Sequence, residues 1–267
     1  MELRIIRVGM KQETQIGIKS IHKSFGSNHV LNGISLDIKK GSSLVIIGPS
    51  GAGKTVLLKT IIGLLNPDRG SILIDGAETT NISNKQRFNI MQKCGFLFQN
   101  GGLFDSLTIE ENIIFFAARA FDLSKWDKRE LATKKLAAVK LPERVLNLYP
   151  SELSGGMQKR VGIARAICAD PEILFFDDPT GGLDPILSSI ISELIVSIRD
   201  DNDPTIITIT HDMSVAYKIA DELALIHMGK LLWNGLKEEM KTKSNPYLHQ
   251  FVNGLTRREM RLEVVDL

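Results

Sequence analysis

Cysteine is scarce: the 267 residues contain two, Cys94 and Cys168, far apart and outside any metal-ligand spacing. That excludes a disulfide framework and suits small core residues in a reducing compartment. No charge of either sign dominates, since 33 basic and 31 acidic residues leave +2. A balance this mild gives no reason to expect a nucleic-acid partner. No apolar run approaches the ~18 residues needed to cross a bilayer. Residues 1–11 mix charges with short apolar pieces and do not resemble a secretory signal. A soluble protein is expected, with any membrane role supplied through a partner. Internal repeats and low-complexity tracts are also missing. What remains is a chain with 43% hydrophobic residues, long enough for one large domain or two small ones with a full core.

The stretch Gly48-Pro49-Ser50-Gly51-Ala52-Gly53-Lys54-Thr55 satisfies G-x-x-x-x-G-K-[ST] at every fixed position. An ordinary glycine-rich turn is the plain alternative, but the surroundings are those a phosphate loop needs. Residues 43–47 read as a buried strand before it and 56–62 as a helix after it. Backbone N–H groups and the helix N-terminus are then expected to cradle phosphates. Lys54 would neutralise the β- and γ-phosphates, and the Thr55 hydroxyl would ligate Mg²⁺.

Apolar alternation over 16–21 and 31–38, with turn signals at Gly26-Ser27-Asn28 and Asn32-Gly33, predicts an antiparallel β layer ahead of that loop. Further strands are expected at 71–75, 95–98, 173–177, 205–209, 223–227 and 231–233. Helices are expected at 128–139, 157–169, 185–199 and 213–220. The stretch from Gln99 through Glu172 is far longer than a strand–helix–strand crossover requires and is rich in helix formers. The reading is an α/β protein: a parallel-sheet P-loop core with an antiparallel β layer and an inserted helical subdomain. Core and β layer take 16–100 and 166–240, the helical subdomain 101–165, and a C-terminal helix and charged tail 241–267.

Asp177 closes the apolar strand Ile173–Asp177, where a metal-binding carboxylate would emerge at the sheet's C-terminal edge. Its neighbour Asp178 would face the γ-phosphate and orient or deprotonate the attacking water. Between loop and acids lies Leu153-Ser154-Gly155-Gly156-Met157-Gln158. Ser154 would cap the following helix, leaving backbone donors and a hydroxyl as an anion site.

Together these motifs resemble the nucleotide-binding subunit of ATP-binding-cassette (ABC) transporters, whose signature is Leu-Ser-Gly-Gly-x-Gln. The resemblance covers about 16–240, with the motifs in the family's order. It implies an ATPase using ATP and Mg²⁺. It also implies a head-to-tail homodimer in which Ser154, Gly155 and Gly156 of one copy close over the nucleotide held by Lys54 of the other. Phe25 stands where the family stacks an aromatic on adenine. Gln99 stands where its glutamine touches Mg²⁺ and the attacking water. His211 matches the histidine that hydrogen-bonds the γ-phosphate, and Asp184 the residue that communicates across the dimer. One position departs: the family's usual catalytic Glu is Asp178 here. A carboxylate pulled back by about 1.5 Å implies slow hydrolysis or a site rearranged to compensate.

Three stretches are similar to the ATPases of Mla/MCE-type phospholipid transporters: residues 98–108, residues 150–157 with Met157 after the glycines, and residues 250–254. That similarity implies multi-spanning permease subunits, an MCE-type substrate-binding protein, a small regulatory subunit, and a place at the cytoplasmic face of an inner membrane. Apolar Leu103, Phe104 and Leu107 are expected to offer a groove beside Gln99 to a helix of the permease, or else to cover the helical subdomain. Arg257, Arg258 and Arg261 in the tail read as a solvated run or a headgroup contact. A small-solute importer ATPase and a non-transport ABC-type regulator remain open alternatives. A nucleic-acid-associated member fits less well, with one phosphate loop and no sustained heptads in the chain.

Overall fold

Strand alternation divides the interior into two cores. The structure, a computed structural model, describes residues 13–99, 101–120, 124–241 and Leu248. The expected C-terminal helix, the 250–254 motif, Arg257, Arg258 and Arg261 lie outside the described residues, as does Asn100. Strands β1 (Thr14–Phe25) and β2 (Asn28–Lys39) form a long antiparallel hairpin. The chain then enters a second sheet through β3 (Ser43–Ile47), passes the phosphate loop, and forms α1 (Lys54–Ile61). It returns to the first sheet with β4 (Arg69–Ile74) and β5 (Ala77–Glu78), giving the order β2-β1-β4-β5. Helix α2 (Asn84–Met91) leads to β6 (Cys94–Leu97).

Between β6 and the next strand come α3 (Ile109–Ile114), α4 (Ala117–Ala120), α5 (Lys125–Ala138), two short 3₁₀ turns and α6 (Gly155–Ala166). Strand β7 (Ile173–Asp177), α7 (Pro185–Asn202), β8 (Thr205–Ile209), α8 (Met213–Ile219), β9 (Glu222–His227) and β10 (Lys230–Leu236) complete the second sheet. Its order is β10-β9-β3-β8-β7-β6, parallel from β9 through β6, with β10 antiparallel at the edge. The expected ABC nucleotide-binding fold is therefore present.

Successive side chains of a strand face opposite sides. Leu44, Ile46, Ile173, Phe175, Ile207 and Ile209 join the β layer and Leu57, Leu58 and Ile61 of α1. Val45, Ile47, Leu174, Phe176 and Ile206 join α6, α7 and α8 on the other face, continuous with Ile113 and Leu136 of the inserted helices. Burial on both faces explains why β3, β7 and β8 read as unbroken apolar runs. The helix expected at 157–169 starts at Gly155 and stops at Ala166, because the chain must reverse into β7 and Asp170 takes φ 47° to do so. Helices α2 and α3 went unread. Each is short, but each opens with a capping box, Ser83 with Gln86 and Thr108 with Glu111, a signal the sequence carries.

Candidate functional site

The parallel strands end on one edge, and their C-terminal residues build the site. Gly48 follows β3 at φ 150°, and a Cβ there would lie 2.1 Å from the Ile226 carbonyl oxygen, so no other residue fits. Pro49, Ser50, Gly51 and Ala52 carry the loop round to Gly53, the left-handed N-cap of α1. The loop is stapled at its far side: Gly229 N donates to Ala52 O (3.2 Å) and Asn32 N to Gly229 O (2.8 Å). These bonds tie it to the hairpin whose tip carries Phe25, half-exposed with Lys23 Nζ 5.6 Å from its ring centroid.

Lys54 Nζ donates to the carbonyl oxygens of Gly48 and Pro49, both at 2.8 Å, curling the ammonium over its own loop. Burial pushes its pKa down, while Asp178 and Asp177 pull it up. Thr55 Oγ1 donates to Asp177 Oδ1 at 3.4 Å. Burial raises the Asp177 carboxyl, and the Thr55 bond opposes that rise. A hydroxyl and a carboxylate oxygen side by side form the sparse hard-oxygen set that suits Mg²⁺ completed by phosphates and water.

Asp178 holds a left-handed backbone, φ 50°, uncommon for a residue with a side chain. Its N–H donates to Ile209 O (2.9 Å), and its carbonyl accepts from Gly181 N (3.1 Å) and Lys159 Nζ (3.1 Å). Its Oδ1 is buried without a hydrogen-bond partner, 3.5 Å from His211 Nδ1. An orphaned carboxylate oxygen beside a lysine and a phosphate loop is the group a reacting water would satisfy. The His211 side chain is 66% exposed, which rules out a satisfied core histidine.

Gly181, which the sequence did not single out, makes room for Asp178. A Cβ at 181 would lie 2.2 Å from Asp178 Oδ2. Gly181→Ala should displace the carboxylate and cut ATP turnover by roughly 10–100-fold, with nucleotide binding unchanged. Steady-state hydrolysis alongside fluorescent-nucleotide titration reads both quantities.

Gln99 sits just past β6 with its side chain exposed, and its carbonyl accepts a hydrogen bond from Lys159 Nζ. The segment after it is pinned from inside. Asn112, fully buried, donates to the carbonyls of Phe104, Leu107 and Thr108 and accepts from Phe104 N. Arg165 donates to Gly102 O (2.6 Å) and Gly101 O (3.0 Å), its pKa pushed down to about 10 by burial. Of the two roles expected of Leu103, Phe104 and Leu107, the packing supports the cover over the helical subdomain, with Phe104 still 41% exposed. Leu103 packs on the core, and Phe104 lies against Phe115, ring centroids 4.4 Å apart. An apolar cleft of about 140 Å³ is lined by Phe88, Met91, Phe96, Phe116 and Arg165, and Gln99 is not among its lining residues.

Ser154 caps α6, its Oγ accepting from Met157 N at 3.4 Å, and Ser154 and Gly155 are exposed. Gly156 abuts Leu187 at the start of α7, where the Asp184 carboxylate caps the helix by accepting from Leu187 N (2.9 Å). Signature turn and Asp184 therefore form one surface. Among the described residues, no hydrogen bond or ion pair joins that surface to the phosphate loop of the same copy.

The sequence profile described as ABC transporter matches residues 31–181, more than half of the chain. A probable ribonucleotide transport ATP-binding protein (mkl) of Mycobacterium leprae is 38% identical over 92% of this chain and 70% of its own length. The intermembrane phospholipid transport system ATP-binding protein MlaF of Haemophilus influenzae is 36% identical over 90% of both. Other relatives are named for methionine and for histidine/lysine/arginine/ornithine transport. The dimeric post-hydrolysis structure of the ATP-binding cassette MJ0796 with ADP and Pi superposes with a TM-score of 0.78 at 30% identity, covering 83% of this chain and 98% of that one. Agreement of this extent in sequence and in fold means that the chain belongs to the ABC transporter family, as an ATPase subunit that binds and hydrolyses ATP.

Proposed function

We propose that this ATPase powers phospholipid movement between membranes. It works as a homodimer bound to multi-spanning permease subunits at the cytoplasmic face of the inner membrane, with an MCE-type protein and a small regulatory subunit completing the complex. Residues 16–100 and 166–240 form the nucleotide-holding core, and 101–165 the helical subdomain. The observation that carries the dimer is the separation of two half-sites. Lys54 and the signature turn are not joined within one copy, and each is built to meet a phosphate.

Phe25 stacks on adenine, and the N–H groups of Gly48 through Gly53 surround the phosphates. Lys54 leaves its two loop carbonyls to neutralise the β- and γ-oxygens. Thr55, Asp177 and Gln99 hold Mg²⁺, which when bound offsets phosphate charge. Asp178 Oδ1 accepts the proton of the attacking water, and His211 hydrogen-bonds the γ-phosphate. Ser154, Gly155 and Gly156 of the second copy close the pocket and exclude water, with Asp184 beside them at the seam.

The likeness to MlaF along nearly the whole chain supports a phospholipid cargo. The apolar cleft supports the permease contact: Phe88 and Phe116 are 53% and 56% exposed, more apolar ring than an unpartnered surface needs. A short permease helix would fill it. No helix among the described residues is long and apolar enough to cross a membrane, so the cargo path belongs to the partner. Affinity purification from detergent-solubilised membranes tests the proposal. A multi-spanning subunit carrying bound phospholipid is expected; capture of a soluble amino-acid-binding protein instead would overturn the lipid assignment in favour of an importer.

A further inference from the structure

Lys159 lies in α6, five positions after the Ser154 cap, and is 6% exposed. Its ammonium donates to two backbone carbonyls, that of Gln99 and that of Asp178 at 3.1 Å. These belong to separate segments, the end of β6 and the end of β7. No other described side chain bonds both. A buried lysine is costly unless its donors are satisfied, and here the acceptors are the backbones of two catalytic-site residues.

We propose that Lys159 is a positioning residue that couples the signature turn of each copy to the hydrolytic groups of that same copy. The left-handed turn at Asp178 is a strained conformation that persists only when its surroundings over-determine it. Two of the three bonds that hold it come from its own neighbourhood, Ile209 O and Gly181 N. The third comes from α6. Five residues of helix span about 7.5 Å, a rigid arm between Ser154 and the ammonium. Gly162, one turn further on, sits so close to Leu97 that an added Cβ would lie 2.5 Å from Leu97 Cδ1, which keys the helix to β6. A shift of the signature turn, when it meets the neighbour's nucleotide, therefore moves the group that fixes Asp178 and Gln99. Occupancy of one pocket sets the alignment of the other.

The inference rests on the two-copy pocket proposed above and adds communication between its sites. The test compares wild type, Lys159→Met, Lys159→Gln and Lys159→Arg for turnover, ATP KM and Hill coefficient, with urea midpoints to report folding. Lys159→Met should lower kcat by roughly 10–100-fold, leave KM within about twofold, and reduce the Hill coefficient toward 1. Lys159→Arg, which keeps donors for both carbonyls, should recover most of the turnover and the cooperativity. Should Lys159→Met fold poorly, Lys159→Gln, which keeps amide donors without charge, carries the comparison and should fall between the two. A Met or Gln variant with wild-type turnover and Hill coefficient would overturn the coupling and leave the pocket model standing. Wild-type hydrolysis that survives Lys54→Ala would instead sink the pocket model itself.

Discussion

Mixing Lys54→Ala chains with Ser154→Arg chains restores ATP hydrolysis that neither variant has alone. Each substitution removes a proposed contact to the triphosphate, and loss of one such preorganised contact costs roughly 100–1,000-fold. In a homodimer of either variant, both pockets carry the defect. In a mixed dimer, one pocket collects both defects, and the other joins the intact Lys54 of one copy to the intact Ser154 of its partner. With random exchange, half the dimers are mixed and each has one good pocket, so recovery reaches about a quarter of wild-type sites. The geometry favours this outcome because Lys54 is curled onto Gly48 and Pro49 while Ser154 lies exposed on the Asp184 surface. Phosphate release measured before and after subunit exchange decides the matter. Recovery indistinguishable from the sum of the separate variants would mean that one copy encloses its own nucleotide.

Asp178→Asn should abolish turnover by roughly 100–10,000-fold, the usual loss when a general base is removed, while ATP still binds. The carboxylate whose unpartnered Oδ1 lies near His211 would lose its capacity to take a proton, since an amide is not basic. Asp178→Glu is the more informative partner. Restoring the methylene advances the carboxylate by about 1.5 Å, and errors of about 1 Å can cost ~100-fold. Turnover is therefore expected to rise by about tenfold. The longer side chain has no hydrogen bond at Oδ1 to break, but it must extend away from Gly181, against which Oδ2 already lies. A fall in turnover on Asp178→Glu would mean that the short arm is matched to this site. Normal turnover in Asp178→Asn would remove Asp178 from the chemistry.

The fold and the position of most candidate nucleotide-binding residues were legible because their signals are local. The phosphate loop is a strand, a turn and a helix contiguous in the chain, and Gly48 and Gly53 announce its backbone directly. The strands of the parallel sheet read as apolar runs because both of their faces are buried. Capping made Ser154 legible, and the capping boxes at Ser83 and Thr108 would have revealed α2 and α3 had their short spans been weighed with them. Which of their two expected roles Leu103 and Phe104 play was not legible, because their partners, the core for Leu103 and Phe115 for Phe104, are set by packing.

By itself the sequence determined that this chain grips a nucleoside triphosphate, since glycine torsions and a lysine at fixed spacing leave few other uses. Only the tertiary structure decided what surrounds the reacting groups. Lys159 reaches Gln99 across 60 positions and Asp178 across 19, and the room Gly181 leaves depends on the left-handed turn at Asp178. Such contacts form because parallel strands end on one edge and the helix between them crosses behind. Meetings of distant residues leave no periodicity in the chain to announce them.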